Sequence, residues 1–142
     1  MQHKRLVIDA NILIRAVFGQ RVPQLIYAYS SQVALYVAEA NYEEAVHYLA
    51  QLAPTRGITE DVWRSSLAGV MAGVQLVGQD ELVLVEEQAL ARIGHRDKND
   101  WPAVAAALLL DCPIWTEDAD FFGSGVATWT TKTVEIYFKE AE

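Results

Sequence analysis

The sequence predicts an α/β fold with a mostly parallel β-sheet. Short apolar segments rich in β-branched residues alternate along the chain with segments whose apolar residues recur at helical spacing. The chain has 142 residues, 52% of them hydrophobic, and shows no repeat, linker or low-complexity segment. A length near that of an average domain, with enough apolar residues for a core, predicts a single domain over residues 1–142.

The first half of the chain is predicted to alternate between strands and helices. Arg5–Ile8 is apolar and β-branched, ends at Asp9, and is followed at once by a helical apolar pattern over Ala10–Phe18. Three further elements are predicted in this half: a helix over Gln24–Ser31, a strand over Val33–Val37 and a helix over Glu39–Leu52. A longer helix is expected over Thr59–Leu76, with Thr59 as its N-cap because a hydroxyl can accept a hydrogen bond from the first turn.

The second half continues the alternation. A strand is predicted over Leu82–Val85, a short helix over Glu86–Ile93, and a helix over Trp101–Leu110 that tolerates Pro102 in its first turn. Two short strands complete the prediction, Pro113–Thr116 and Val126–Trp129. Alternating strands and helices favour a parallel sheet, in which ligands bind at the carboxyl ends of the strands.

Composition limits where the protein works. The single Cys112 cannot form an intramolecular disulfide, and Met1–Ile8 is too short for a hydrophobic targeting region. The longest uninterrupted apolar run, Ala103–Leu110, falls far below the roughly 20 residues needed to cross a bilayer. We therefore expect a soluble, cytoplasmic protein. Its net charge of −8 means either that it avoids nucleic acid or that its acids gather where a divalent metal neutralises them.

Acidic residues fall at the ends of several predicted elements. Asp9 directly follows the first strand and Asp118 lies two residues after the "PIWT" strand, so both are expected at one edge of the sheet. Asp100 directly precedes a helix, and Glu43 and Glu44 lie in the helix after the second strand. Clustered carboxylates repel each other, and a divalent cation removes that cost. Carboxylate oxygens favour Mg²⁺ or Mn²⁺, which can activate water for phosphodiester hydrolysis.

Each of these acids also has a purely structural interpretation. Asp9 and Asp100 are well placed to be helix N-caps, and Asp118 and Asp120 to be turn formers. The two glutamates are ordinary residues for an exposed helix surface. Basic residues near the acidic segments either contact phosphates or offset the local acids: Arg15, Arg96 and Lys98.

Three segments, in this order, together resemble the PIN-domain family over essentially the whole chain: "VIDANILIRA" (Val7–Ala16), "RDKNDWPAVAAALLL" (Arg96–Leu110) and "PIWTEDADF" (Pro113–Phe121). The resemblance implies an α/β/α sandwich around a parallel sheet, and a metal-dependent ribonuclease site of three or four acids. The positions that match the family's acids are Asp9 (with Asn11 in a supporting position), Asp100 and Asp118, with Asp97 and Asp120 as auxiliaries.

The remaining family acid lies on the helix after the second strand. Glu44 fits it best, since two apolar residues and later Leu49 follow as in the family. Glu43 is the close alternative, and Glu39 is a third. The segment "VAEANYEEA" departs from the family pattern, which often has a proline before this helix. Asp111 and Glu117 are interpreted as solvated surface residues.

The resemblance implies an Mg²⁺- or Mn²⁺-dependent endoribonuclease, with RNA as its substrate. It also implies that the protein could be the toxin of a toxin–antitoxin pair, similar to VapC-type proteins, held inactive by a small protein antitoxin. Many PIN domains form homodimers, and the apolar helix over Thr59–Leu76 is a candidate contact. Two alternatives stay open: a binding or scaffold module whose acids serve as caps, and a structure-specific DNA nuclease.

Overall fold

The computed structural model describes residues 4–140 of the chain, apart from the side chains of residues 94–98. Within this part, five strands form one sheet in which every neighbouring pair is parallel. In chain order the strands are β1 (Lys4–Ile8), β2 (Val33–Ala38), β3 (Val74–Val77), β4 (Ile114–Trp115) and β5 (Thr128–Trp129). Their spatial order is β3-β2-β1-β4-β5, so the first strand lies at the centre of the sheet.

Helices cover both faces of the sheet. In chain order, the α-helices of the described residues are α1 (Ala10–Phe18), α2 (Arg21–Ala28), α3 (Glu39–Leu52), α4 (Glu60–Met71), α5 (Gln79–Leu82), α6 (Glu86–Asp97), α7 (Trp101–Leu110) and α8 (Val134–Lys139). Buried residues of α5, α6 and α7 pack with Val7 on one face, and those of the other helices pack with Leu6 and Ile8 on the opposite face. This alternation along β1 is the period-2 pattern of a strand buried on both sides. The predicted α/β/α sandwich is confirmed.

Short 3₁₀ turns join some of these elements. They span Pro54–Arg56, Val83–Val85, Lys98–Asp100 and Ala119–Phe121. The Lys98–Asp100 turn leads straight into α7, and the Ala119–Phe121 turn follows β4. Both turns therefore lie next to acids that the sequence singled out.

Two predictions for the middle of the chain are wrong. The predicted helix over Thr59–Leu76 ends at Met71, and β3 begins at Val74, where the sequence predicted more helix. The predicted strand Leu82–Val85 is the end of α5 and a 3₁₀ turn. The edge strand β3 pairs with β2 alone and exposes part of its length, so its residues lack the continuous apolar run of the inner strands. Thr59 occupies the N-cap position of α4, but its side chain makes no capping hydrogen bond.

Other predicted elements differ from the structure mainly at their ends. Helices α1, α3 and α7 have the predicted bounds, whereas α2 begins earlier and α6 continues further than predicted. The sequence did not predict α8, which buries Val134 and Phe138. The Phe138 ring lies 4.9 Å from the Tyr29 ring and 5.8 Å from the Trp115 ring, measured between centroids. No described helix is long and apolar enough to span a membrane.

The register of the inner strands positions the candidate site. Ile8 at the end of β1 pairs with Val37 of β2 on one side and with Trp115 of β4 on the other. The residues that follow these strands, among them Asp9 and Thr116, therefore emerge side by side at the carboxyl edge of the sheet. This is the edge at which parallel α/β sheets bind their ligands.

Candidate functional site

A cleft of about 370 Å³ opens at the carboxyl edge of the sheet. It is lined by Asp9, Ala10, Asn11, Arg15, Asn41, Glu44, Asp100, Glu117, Asp118 and Phe121. Five of these described residues are acidic and one is basic, so the cleft is strongly negative. The structure thus gathers around one cavity acids that are up to 109 positions apart in the chain.

Asp9 is the buried acid of the cleft, with 6% of its surface exposed. Its Oδ1 accepts a hydrogen bond from the Ile12 backbone N–H at 2.9 Å, so it caps α1 as one interpretation of the sequence predicted. Its Oδ2 accepts a second hydrogen bond from the Thr116 hydroxyl. Burial raises the pKa of Asp9 to about 6, with smaller contributions from the charges of Asp118 and Glu44, and the two hydrogen bonds oppose the rise.

Thr116 is a site residue to which the sequence analysis assigned no role. It is fully buried, and its hydroxyl donates to Asp9 while accepting a hydrogen bond from the Asp118 backbone N–H at 2.9 Å. One side chain therefore fixes the relative positions of two acids that follow neighbouring strands. The strand pairing is the one feature from which Thr116 could have been predicted. If β1 and β4 are neighbours, Asp9 after β1 and Thr116 after β4 lie side by side.

Asp100, Asp118 and Asp120 form the compact part of the acidic cluster. Each offers a carboxylate oxygen that lies within 4.8 Å of those of the other two. Asp118 also accepts a hydrogen bond from the Asp120 backbone N–H at 2.9 Å, so it does form the predicted turn. Asp100 holds the N-cap position of α7, but its side chain makes no capping hydrogen bond to that helix. The capping interpretation of Asp100 is therefore wrong.

The three glutamates considered on α3 have different positions in the structure. Glu43 and Glu44 are both exposed, but Glu44 lines the cleft and raises the pKa of Asp9 through its charge, whereas Glu43 is not among the described residues that line the cleft. Glu39 accepts a hydrogen bond from the Gln79 backbone N–H at 2.9 Å, which ties α3 to the start of α5. The geometry therefore favours Glu44 as the acid that α3 contributes.

Two further side chains refine the predictions around the cleft. Arg15 lines the cleft, and its Nε donates a hydrogen bond to Asn11 Oδ1 at 2.9 Å. Asn11 therefore holds the positively charged Arg15 guanidinium beside the acidic cavity. Glu117 was predicted to be a solvated surface residue, which is wrong: it is half-buried, lines the cleft, and accepts a hydrogen bond from the Thr131 backbone N–H at 2.7 Å. Asp111 is exposed, as predicted.

Some predicted site residues fall in the stretch whose side chains are not described. The auxiliary acid Asp97 and the basic residues Arg96 and Lys98 lie outside the described side chains.

The chemistry of the donor set fits a divalent cation. Carboxylate oxygens from Asp9, Glu44, Asp100 and Asp118 surround the cleft, and hard oxygen ligands are those that Mg²⁺ and Mn²⁺ prefer. Burial raises the pKa of Asp9, and the negative charges of Asp118 and Glu44 add to the rise, so the ionised Asp9 carboxylate is disfavoured both by lost hydration and by repulsion. A bound cation would relieve both costs.

Comparisons with known proteins support the architecture. The model of the PIN domain family matches residues 7–139. A structure of VapBC2 from Rickettsia felis, bound to a promoter DNA fragment, matches with a TM-score of 0.69 and 8% identity over 89% of this chain and 98% of that one. A toxin–antitoxin complex from Klebsiella pneumoniae matches with a TM-score of 0.65 and 14% identity over 89% and 97%. DNA-bound VapBC from Salmonella typhimurium matches with a TM-score of 0.67 and 13% identity over 90% and 98%. No curated protein matches in sequence.

Proposed function

The chain belongs to the PIN domain family, and from this premise we propose that it is an endoribonuclease that depends on Mg²⁺ or Mn²⁺. The observation that carries the proposal is the convergence of Asp9, Glu44, Asp100 and Asp118 on one cleft at the carboxyl edge of the sheet. Mutual repulsion makes such a cluster unfavourable unless a cation binds it, and helix capping and turn formation account for only two of the four acids, Asp9 and Asp118.

The residues of the cleft divide into distinct roles. Asp9, Glu44, Asp100 and Asp118 would hold the cation, with Asp120 beside them as an auxiliary acid. Asp97 is the second auxiliary acid that the family resemblance implies. When bound, a divalent cation lowers the pKa of a coordinated water and stabilises the charge that develops on a phosphoryl group. Thr116 keeps Asp9 and Asp118 in register. One carboxylate of the cluster accepts the proton that the attacking water loses.

Arg15 is suited to contact the substrate. Its guanidinium lies at the cleft and is oriented through the bond from its Nε to Asn11, which leaves its other nitrogens available to hold a phosphate of the RNA backbone. Phosphate contacts position a nucleic acid without reading its sequence. Few such contacts are needed when a cation neutralises the acidic site, which is consistent with a net charge of −8.

We further propose that the protein is the toxin of a toxin–antitoxin pair. Two of the similar structures are VapBC proteins bound to DNA and a third is a toxin–antitoxin complex. A small protein antitoxin would then be its partner. The protein would form a homodimer and would act in the cytoplasm.

Expression of the chain alone should arrest growth, and expression together with the neighbouring reading frame should relieve the arrest.

A binding or scaffold module is the second candidate function. It is favoured by the capping bond of Asp9 to α1 and by the turn that Asp118 forms, since both acids have a structural use. Such a module would bind RNA or protein without cleaving RNA. A DNA nuclease would use the same cleft, so the substrate must be tested directly.

The proposed function is tested by incubating the purified chain with labelled RNA and with single-stranded DNA of the same sequence, in Mn²⁺ or in EDTA. We expect cleavage of RNA in Mn²⁺ and none in EDTA. Glu44→Gln should lower the rate by about tenfold or more, because it removes a charged ligand worth at least about 1.4 kcal/mol to the transition state. The matched control Glu43→Gln, one residue away on the same helix, should cleave at the wild-type rate.

Three results of this experiment would count against the proposal. Absence of cleavage in Mn²⁺ would favour the scaffold module, and faster cleavage of the DNA would favour a DNA nuclease. Equal losses in Glu43→Gln and Glu44→Gln would show that α3 contributes no specific ligand from Glu44.

A further inference from the structure

Asn41 is a buried polar residue of the cleft to which neither the family resemblance nor the proposed function assigns a role. It lies in the first turn of α3, one turn before Glu44, and lines the same cavity. Only 5% of its surface is exposed. Its Oδ1 is closed to solvent, and no described residue donates a hydrogen bond to it.

The position of Asn41 is one where an apolar residue would be expected. Asn41, Ala45 and Leu49 are the buried residues of α3 and recur every four residues, which is the spacing of the helix face that packs on a core. A buried acceptor without a partner costs about 1–3 kcal/mol, so native proteins seldom keep one. An amide at this position therefore indicates a hydrogen-bond donor that arrives with a ligand.

The other amide of the cleft provides a comparison. Asn11 Oδ1 already accepts a hydrogen bond from Arg15 Nε at 2.9 Å, so its acceptor is used within the protein. The remaining polar groups around Asn41 are mainly carboxylates, which carry no hydrogen to donate when ionised. Because Oδ1 is closed to water, a donor reaches it only once the amide turns this oxygen toward the cleft that Asn41 lines. That donor must be small and must be attracted to an acidic cavity.

We propose that Asn41 Oδ1 accepts a hydrogen bond from a water molecule in the hydration shell of the divalent cation that the acids of the cleft hold. Mg²⁺ keeps several of its waters when proteins bind it, and such waters are strong donors. Asn41 is then a positioning residue of the cation site that sets cation affinity without ligating the ion. This inference rests on the proposed function, because it requires the cation site of Asp9, Glu44, Asp100 and Asp118.

The test is Mn²⁺ binding by the full chain, measured by isothermal titration calorimetry, together with thermal unfolding in EDTA. Asn41→Leu should weaken Mn²⁺ binding by about 10- to 100-fold, the usual cost of losing a residue that supports metal ligands. The same variant should unfold at the wild-type temperature or above in EDTA, because an apolar group of similar size replaces an unsatisfied acceptor. Gln51→Leu, which removes an exposed amide from the same helix, should change neither quantity.

A second variant keeps the acceptor. Asn41→Asp has the same shape and retains an oxygen for the donor, so it should bind Mn²⁺ at least as tightly as the wild type. The inference is overturned if Asn41→Leu binds Mn²⁺ with wild-type affinity, if Asn41→Asp loses as much affinity as Asn41→Leu, or if Asn41→Leu unfolds at a lower temperature in EDTA.

A further variant separates failure of this inference from failure of the cation site. Asp100→Asn should strongly reduce Mn²⁺ binding. If it does and Asn41→Leu has no effect, then only the role of Asn41 is wrong. If neither variant changes Mn²⁺ binding, the cation site itself is wrong, and both proposals fall with it.

Discussion

Asp100→Asn is expected to lower the rate of Mn²⁺-dependent RNA cleavage by about a hundredfold or more while the protein stays folded. An Asp100 carboxylate oxygen lies within 4.8 Å of those of Asp118 and Asp120, so the substitution removes a charged ligand from the most compact part of the cluster. Loss of about 3 kcal/mol of transition-state stabilisation corresponds to roughly a hundredfold in rate. The fold should tolerate the change, because the Asp100 side chain does not cap α7.

A matched control lies at the other end of the same helix. Asp111 is an exposed acid that ends α7 with a left-handed backbone conformation, φ 51°, which asparagine adopts as readily as aspartate. Asp111→Asn removes the same charge from the same helix at a distance from the cleft, so single-turnover cleavage should proceed at the wild-type rate. Cleavage by Asp100→Asn at the wild-type rate would show that Asp100 is not a ligand of the cation. An equal loss in Asp111→Asn would show that net charge rather than the cleft determines activity.

Asp9→Asn is expected to make the cation-free protein more stable by up to about 3 kcal/mol at pH 7.5. The pKa of Asp9 rises from 3.8 in the unfolded chain to about 6 in the folded one, mainly because burial disfavours the charge. A rise of this size corresponds to about 3 kcal/mol of lost stability once the carboxylate is ionised. Asparagine removes the charge and can still cap α1 through its side-chain oxygen.

The pH dependence gives the sign of the effect. A folded state with a raised carboxyl pKa binds the proton more tightly than the unfolded state does, so ionisation destabilises the fold as pH rises through the interval from 3.8 to about 6. The advantage of Asp9→Asn should therefore be fully present above about pH 6 and should vanish near pH 4. Urea unfolding of both proteins in EDTA at pH 7.5 and pH 4 measures it. A variant that is less stable than the wild type at pH 7.5 would contradict this account of Asp9.

Much of the fold could be predicted because its inner elements carry strong local patterns. The last three residues of β1, Leu6–Ile8, are buried on both faces and read as a continuous apolar run. Helix α7 combines an alanine- and leucine-rich sequence with a proline in its first turn. The edge strand β3 has no such pattern. Its four residues gain a strand conformation from pairing with β2, a contact that the local sequence does not contain. The apolar residues Val83 and Leu84 are largely exposed, so their hydrophobicity does not signal burial.

The candidate site could be predicted only where topology alone determines position. Asp9 and Asp118 follow parallel strands, and the carboxyl ends of such strands meet at one edge. The distinction between Glu44 and Glu43 depends on the rotation of α3 about its axis, which packing fixes. Thr116 and Asn41 were missed because their importance depends on their partners: Thr116 joins two acids, and the Asn41 acceptor has no described donor.

The central claim is that the acids of the cleft together form a binding site for a divalent cation. Anomalous scattering from crystals grown with Mn²⁺ tests it most directly, because the signal locates the metal without reference to activity. We predict an anomalous peak in the cleft within coordination distance, roughly 2.0–2.3 Å, of carboxylate oxygens of Asp9, Asp100 and Asp118. A cleft without anomalous signal while Mn²⁺ binds elsewhere on the protein would contradict the account.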